Sequence, residues 1–157
     1  MVFQNDERVF FVMDYVAGGD LQQHLEQHRT IPEERAKFYA YTLAIALGHL
    51  HKNSIVHRDL KPENVLIGED GYPRLGDFGL SRVLKENERT NSITGTINYV
   101  APEMYNMKPC FSPFDLKAAC STDWWTLGLL TFHMIYGESN FQAYLKDRER
   151  KKPGTFQ

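Results

Sequence analysis

The sequence predicts an α+β fold that is mainly helical, and three observations carry that expectation. Apolar residues recur at helical spacing over 30–52, and a second stretch, Trp124 to Tyr136, is apolar on every side. Val9 to Val16 is a β-branched and aromatic run that reads as a strand. Short β-branched pieces flank Gly68-Glu69-Asp70-Gly71, a hairpin signal. At 157 residues the chain is long enough for one compact domain with a real core.

Taken in order, the strand at 9–16 ends at Ala17-Gly18-Gly19, and Asp20 is placed to cap a short helix through His28. Thr30 and Glu33 match a capping box, with Pro32 tolerated in the first turn, for a second helix ending near Lys52-Asn53. Its stripe is Ala36, Ala40, Leu43, Leu47 and Leu50. Strand-like pieces follow at Ile55-Val56, Val65 to Ile67 and Pro73 to Leu75. Ser81 to Thr96 is polar and poor in large apolar residues, so a mobile loop is expected. Ser121 or Thr122 would cap the helix at Trp124–Tyr136, which is buried on this pattern. Lys146 to Lys152 reads as a solvated helix end or frayed tail.

Composition narrows the function. The residues are 42% hydrophobic and 24% charged, as in soluble globular proteins. A net charge of -2 gives no electrostatic case for nucleic acid or an anionic membrane. No secretory signal pattern opens the chain, and Trp124–Tyr136 is too short to span a bilayer. Cys110 and Cys120 lack zinc-site spacing and are expected as reduced thiols of an intracellular, cytoplasmic or nuclear, protein.

The chemistry lies in His57-Arg58-Asp59-Leu60-Lys61-Pro62-Glu63-Asn64, then Asp77-Phe78-Gly79, then Ala101-Pro102-Glu103. In that order they resemble the catalytic-loop, DFG and APE motifs of eukaryotic serine/threonine protein kinases. Phosphoryl transfer leaves a protein mainly to position groups and balance charge. The resemblance implies ATP and Mg2+ as cofactors. Asp59 would orient the substrate hydroxyl and take its proton, and Lys61 would neutralise charge on the transferred phosphoryl. Asn64 and Asp77 would supply the oxygen ligands that Mg2+ prefers. His57, Arg58, Phe78, Gly79 and Glu103 would hold the frame.

Further segments extend the likeness. Val12 to Leu21 resembles the kinase hinge, with backbone groups of Asp14 and Val16 on adenine, Met13 as gatekeeper and Leu66 beneath the ring. Asp20 is assigned to both the nucleotide and the peptide side of this site. Gly95 to Glu103 resembles the Gly-Thr-x-x-Tyr-x-Ala-Pro-Glu segment, in which Thr96 ties to Asp59 and Lys61 on the substrate side. Asp123-Trp124-Trp125-x-Leu-Gly resembles the AGC group, where Asp123 braces the catalytic-loop backbone. Asp20 and Glu63 would face basic side chains of a Ser/Thr protein substrate, or are solvated surface acids. Ser92 aligns with an activation-loop phosphosite for an upstream kinase, its phosphate pairing with Arg58, and Thr90 and Thr94 remain alternatives.

The sequence also departs from that family. No glycine precedes Gly18, so no Gly-rich loop lies upstream of the hinge, and the first lysine is Lys37. A partial kinase domain is therefore expected over 1–157: the last N-lobe strand and hinge at 1–19, a kinase-like C-lobe with short β-hairpins at 20–141, and a polar tail at 142–157. The N-lobe is largely missing on this reading, and activity of the chain alone would be weak or absent. Gly137 to Phe141 only loosely resembles Gly-x-Pro-Pro-Phe, Glu103 lacks its usual arginine partner, and Met104 to Thr122 is longer than usual. Two functions follow as expectations: a Ser/Thr kinase, or a non-catalytic kinase-like interaction or regulatory module.

Overall fold

The computed structural model describes residues 1–84, 95–101 and 116–150, with backbone alone for Ile97 and residues 116–118. Two strands, β1 (Val2–Gln4) and β2 (Val9–Phe11), pair antiparallel with Phe3 opposite Phe10. Asn5 sets the turn by accepting from the backbone N–H of Glu7 and Arg8 at 3.0 and 2.7 Å. The expected strand at 9–16 therefore stops at Phe11, because β1 offers only three residues to pair with it. Both strands are exposed along their length.

Helices α1 (Leu21–His28) and α2 (Glu33–Lys52) follow. Asp20 caps α1, its Oδ1 accepting from Gln23 N at 2.9 Å, as its sequence position predicts. The capping box of Thr30 and Glu33 does not form. Pro32 occupies the N-cap position, Glu33 is the first helical residue, and no side chain caps the end. Ala36, Tyr39, Leu43 and Leu47 turn the buried face of α2 inward, with Ala40 and Leu50 at its margins.

Three short strand pairs organise the middle of the chain. The hairpin of β4 (Val65–Ile67) and β5 (Pro73–Leu75) closes through Gly71, whose φ of 77° suits glycine. Strand β3 (Ile55–Val56) pairs with β6 (Arg82–Val83), so the start of the expected loop at 81–96 is ordered as a strand, and 85–94 lie outside the described residues. Helix α3 runs from Leu116 to Arg150 with a break at Gly137. It thus begins before the expected caps. Thr122 lies inside it and donates to Ala119 O at 2.7 Å, as helix-compatible residues from 116 onward extend it upstream. Most of its apolar residues are buried or half-buried, but Trp124 and Tyr136 are exposed.

The main core joins Leu21 and Leu25, Ala36, Tyr39, Leu43 and Leu47, Leu60, Val65 and Ile67 with Leu127, Leu130 and Met134. Each fully buried Leu or Met contributes about 1.5–3 kcal/mol. This core fixes α2 against α3 and holds the loop from 57 to 64 between them. Among the described residues no helix is long and apolar enough to cross a membrane.

Gly137 lets α3 pass the α1–α2 connection. Its φ is +77°, and a Cβ there would stand 2.7 Å from Arg29 O. Gly137→Ala is expected to destabilise by about 1–3 kcal/mol, read as a lower urea midpoint. Gly48, inside α2 with nothing within 4 Å of its Cβ position, gives the opposite sign: Gly48→Ala should stabilise by about 0.5–1 kcal/mol.

Candidate active site

Asp59 is the centre of the site. Its side chain is 7% exposed and lies at the end of the loop that follows β3. Oδ1 accepts from Thr96 N at 3.0 Å and from Thr96 Oγ1 at 2.8 Å. Oδ2 accepts from Asn64 Nδ2 at 3.0 Å and pairs with Lys61 Nζ at 3.0 Å. Lys61 also donates to Thr96 Oγ1 at 3.1 Å, closing the ring of polar contacts. Burial pushes the Asp59 carboxyl up, but the Thr96 and Lys61 hydrogen bonds, the Lys61 charge and the Asn64 amide hold it below the ordinary carboxylate range.

The backbone around Asp59 is fixed from α3. Asp123, 1% exposed, accepts from His57 N at 2.9 Å and from Arg58 N at 2.8 Å. His51 Nε2 on α2 adds a third bond to the same carboxylate at 2.8 Å. Two neighbouring N–H groups can point at one carboxylate because Arg58 adopts a left-handed φ of 69°. His57 donates through Nε2 to Gly76 O at 3.1 Å and accepts weakly from Asp59 N at 3.4 Å, which settles its tautomer. Phe78 packs edge-on to the His57 ring at 5.3 Å.

Asn64 sits in the 3-10 turn Pro62–Asn64 and donates from Nδ2 to Asp59 O at 2.7 Å as well as to Oδ2. Both bonds use the amide nitrogen, which leaves Oδ1 as the ligand-type atom. Asp77 is exposed at φ 48°, with Oδ1 accepting from Gly79 N at 3.0 Å. An amide oxygen and an exposed carboxylate are hard oxygen donors, so the residues present fit Mg2+. Among the described residues no group of three or more His, Cys, Asp or Glu is placed to hold a metal ion.

The hinge-like segment joins this site at its end. Ile67 N donates to Gly19 O at 2.8 Å, Asp20 bridges to Leu66, and His24 Nε2 donates to Gly18 O at 2.7 Å. Met13 and Asp14 are exposed, and Val16 and Leu66 are half-buried. Asp20 spends Oδ1 on the α1 cap and Oδ2 on Gln23 Nε2 at 3.0 Å. Glu63 is exposed beside Asn64. Arg58 donates from Nε to Leu80 O at 2.7 Å, while its Nη1 is buried without a partner among the described residues. Ser92 and Glu103 lie outside the described residues.

Two groups at the site were not singled out by sequence reasoning. His51 is one, and its place two residues before the α2 C-cap was its only signal. The other is His133, which holds Tyr99 of the Gly-Thr-x-x-Tyr segment and whose only signal was a histidine inside a mostly apolar helical stretch.

A family model described as a protein kinase domain matches residues 1–154. The chain is 42% identical over 146 residues to the serine/threonine-protein kinase sgk-1 of Caenorhabditis elegans, covering 92% of this chain and 29% of the relative. It is 43% identical over 142 residues to human serine/threonine-protein kinase Sgk1, covering 90% of this chain and 31% of the relative. Protein kinase C zeta type from Oryctolagus cuniculus is 42% identical over 140 residues, covering 88% of this chain and 22% of the relative. The chain thus spans less than a third of the length of these curated relatives.

Proposed function

The chain belongs to the protein kinase family, resembling its AGC-like serine/threonine members, and from that premise we propose that it carries the magnesium- and substrate-handling part of a kinase active site. The convergence of Lys61, Asn64 and Thr96 on one ionised carboxylate, Asp59, is the observation that supports this reading most. Here the substrate hydroxyl would bond to Asp59 and give up its proton as its oxygen attacks the γ-phosphorus of ATP, with ADP leaving. Lys61, already 3.0 Å from that carboxylate, is placed to meet charge on the transferred group. Mg2+ held by Asn64 and Asp77 would neutralise the phosphates. The hinge backbone at Asp14 and Val16, with Met13 and Leu66, would take adenine.

The chain would be hinge and C-lobe. Proteins with Ser or Thr near basic residues are the substrates it favours, through Glu63 more than Asp20, whose carboxylate is engaged in the α1 cap. An upstream kinase would phosphorylate Ser92, and the buried Arg58 Nη1, without a partner among the described residues, supports an anion arriving there. An intracellular, cytoplasmic or nuclear, setting suits these substrates. A second reading, a non-catalytic interaction or regulatory module, draws on the exposure of Phe3, Phe11, Met13 and Tyr15.

Labelling of a basic Ser/Thr peptide from Mg2+-ATP by this chain separates the two. Slow, Mg2+-dependent labelling that disappears in Asp77→Ala is the expected result. Equal labelling by Asp77→Ala would remove the metal assignment, and no labelling with retained peptide binding would favour the second reading.

A further inference from the structure

Behind the Asp59 site lies a buried polar chain that the phosphoryl-transfer reading leaves unused. His133, on α3 and 2% exposed, takes the Tyr99 hydroxyl on Nδ1 at 2.9 Å. Its ring stacks on Phe141 with centroids 4.5 Å apart and planes 4° from parallel. Glu138 Oε2, just past the Gly137 break, stands 2.8 Å from Nε2, off the line of a hydrogen bond. The Glu138 carboxylate can only accept, so the ring proton of the neutral histidine is assigned to Nε2, facing Glu138, which leaves Nδ1 to accept from Tyr99.

Tyr99 also belongs to the turn that serves Asp59. In the 3-10 turn Ile97–Tyr99, Tyr99 N donates to Thr96 O at 2.8 Å. Thr96 in turn gives both its N–H and its hydroxyl to Asp59 Oδ1. Four residues thus connect the helix break to the central carboxylate, Glu138, His133, Tyr99 and Thr96, with the Tyr99–Thr96 step running through the backbone.

We infer that His133 is a positioning residue: its neutral ring holds Tyr99 and so seats Thr96 on Asp59, and its protonation loosens that seat. A protonated ring carries hydrogen on Nδ1 as well, so it can no longer accept from Tyr99. The Tyr99 hydroxyl must then reverse, leaving its own proton without an acceptor in a buried place. Burial keeps the Tyr99 phenol from ionising, so the hydroxyl cannot escape this by losing the proton.

Among the described residues few titratable groups face His133. Glu138 comes from beyond Gly137 and Glu63 from the turn Pro62–Asn64, and Tyr99 comes from its own turn. Burial pushes the His133 imidazole below the ordinary histidine value, while both glutamates push it up without prevailing. The ring is therefore neutral at pH 7 and charges only on acidification. The catalytic consequence rests on reading Asp59 as the base, but the link itself does not.

Nuclear magnetic resonance on the 157-residue chain tests it without any activity. The Thr96 amide proton and the His133 ring nitrogens are followed from pH 7.5 to about 5, a range above the titration of Asp59. In wild type both should move together, with one midpoint below 6.5. His133→Asn, which keeps an acceptor but cannot titrate, should leave Thr96 at its high-pH position throughout. Tyr99→Phe should place Thr96 near its acid position at every pH and guards against a fold defect in the first variant. A Thr96 shift that follows the same curve in His133→Asn overturns the inference. So does a Thr96 resonance in wild type that ignores the His133 titration. Absence of peptide labelling bears on the kinase reading alone and leaves these outcomes unchanged.

Discussion

Asp59→Asn is expected to lower phosphoryl transfer by about 10²–10⁴-fold while leaving the chain folded, because it removes the proton acceptor and keeps a side chain of the same shape. Asn can still accept from Thr96 through its carbonyl, so the turn at 97–99 keeps one anchor. What it loses is the charge that faces Lys61 at 3.0 Å. The same variant carries a pH signature. In the folded chain Asp59 ionises at lower pH than its ordinary value of 3.8, so ionised Asp59 stabilises the fold above that value. The contribution is lost as pH falls through the folded-state value. Acid denaturation of wild type should therefore steepen below pH 3.8, and Asp59→Asn should flatten that part of the curve. A rate unchanged in Asp59→Asn would remove the base assignment, whatever the stability result.

Asp123→Ala should be the most destabilising single change at the site. Three donors end on this buried carboxylate: His57 N, Arg58 N and His51 Nε2. Alanine leaves all three without an acceptor, and buried unsatisfied donors cost about 1–3 kcal/mol each. Part of this relaxes, so a net loss of about 3–5 kcal/mol is expected, against total stabilities of about 5–15 kcal/mol for ordinary domains. The N–H of the left-handed Arg58 ends on this bracket, so the loop carrying Asp59 should loosen first. Urea denaturation measures the loss. His51→Gln, which removes one donor's geometry and keeps the carboxylate, should cost less than half as much. Equal costs would mean that Asp123 acts mainly through His51 and not through the loop backbone.

Much of the helical frame was legible because its signals are local. Asp20 before Leu21 is a cap by residue type, and the apolar spacing of α2 needs no partner to be read. The hairpin at 65–75 was equally plain, since Gly71 sits where a positive φ is required. The errors arose where pairing or competition decides. Val9–Val16 has strand propensity throughout, but a strand extends only as far as its partner, and Val2–Gln4 ends early. Thr30 matched a capping box, yet Pro32 took the N-cap place with ψ 139° and no side chain bonded across. Arg82–Val83 lies in a polar segment and becomes a strand because Ile55–Val56 needs a neighbour. At the site, the motifs named Asp59, Lys61, Asn64 and Thr96, but no motif could place Tyr99 on His133, a contact that joins residues 34 positions apart.

Asn64 and Asp77 are proposed to hold a divalent cation, with nucleotide, beside Asp59. Mn2+ can replace Mg2+ among oxygen ligands and broadens nearby resonances strongly. With ATP and a trace of Mn2+ added to the isotopically labelled chain, broadening should centre on Asn64, Asp77 and Asp59 and vanish in Asp77→Ala. Broadening confined to surface acids such as Glu33 and Glu34, or unaltered by Asp77→Ala, would mean that Asn64 and Asp77 do not hold the cation.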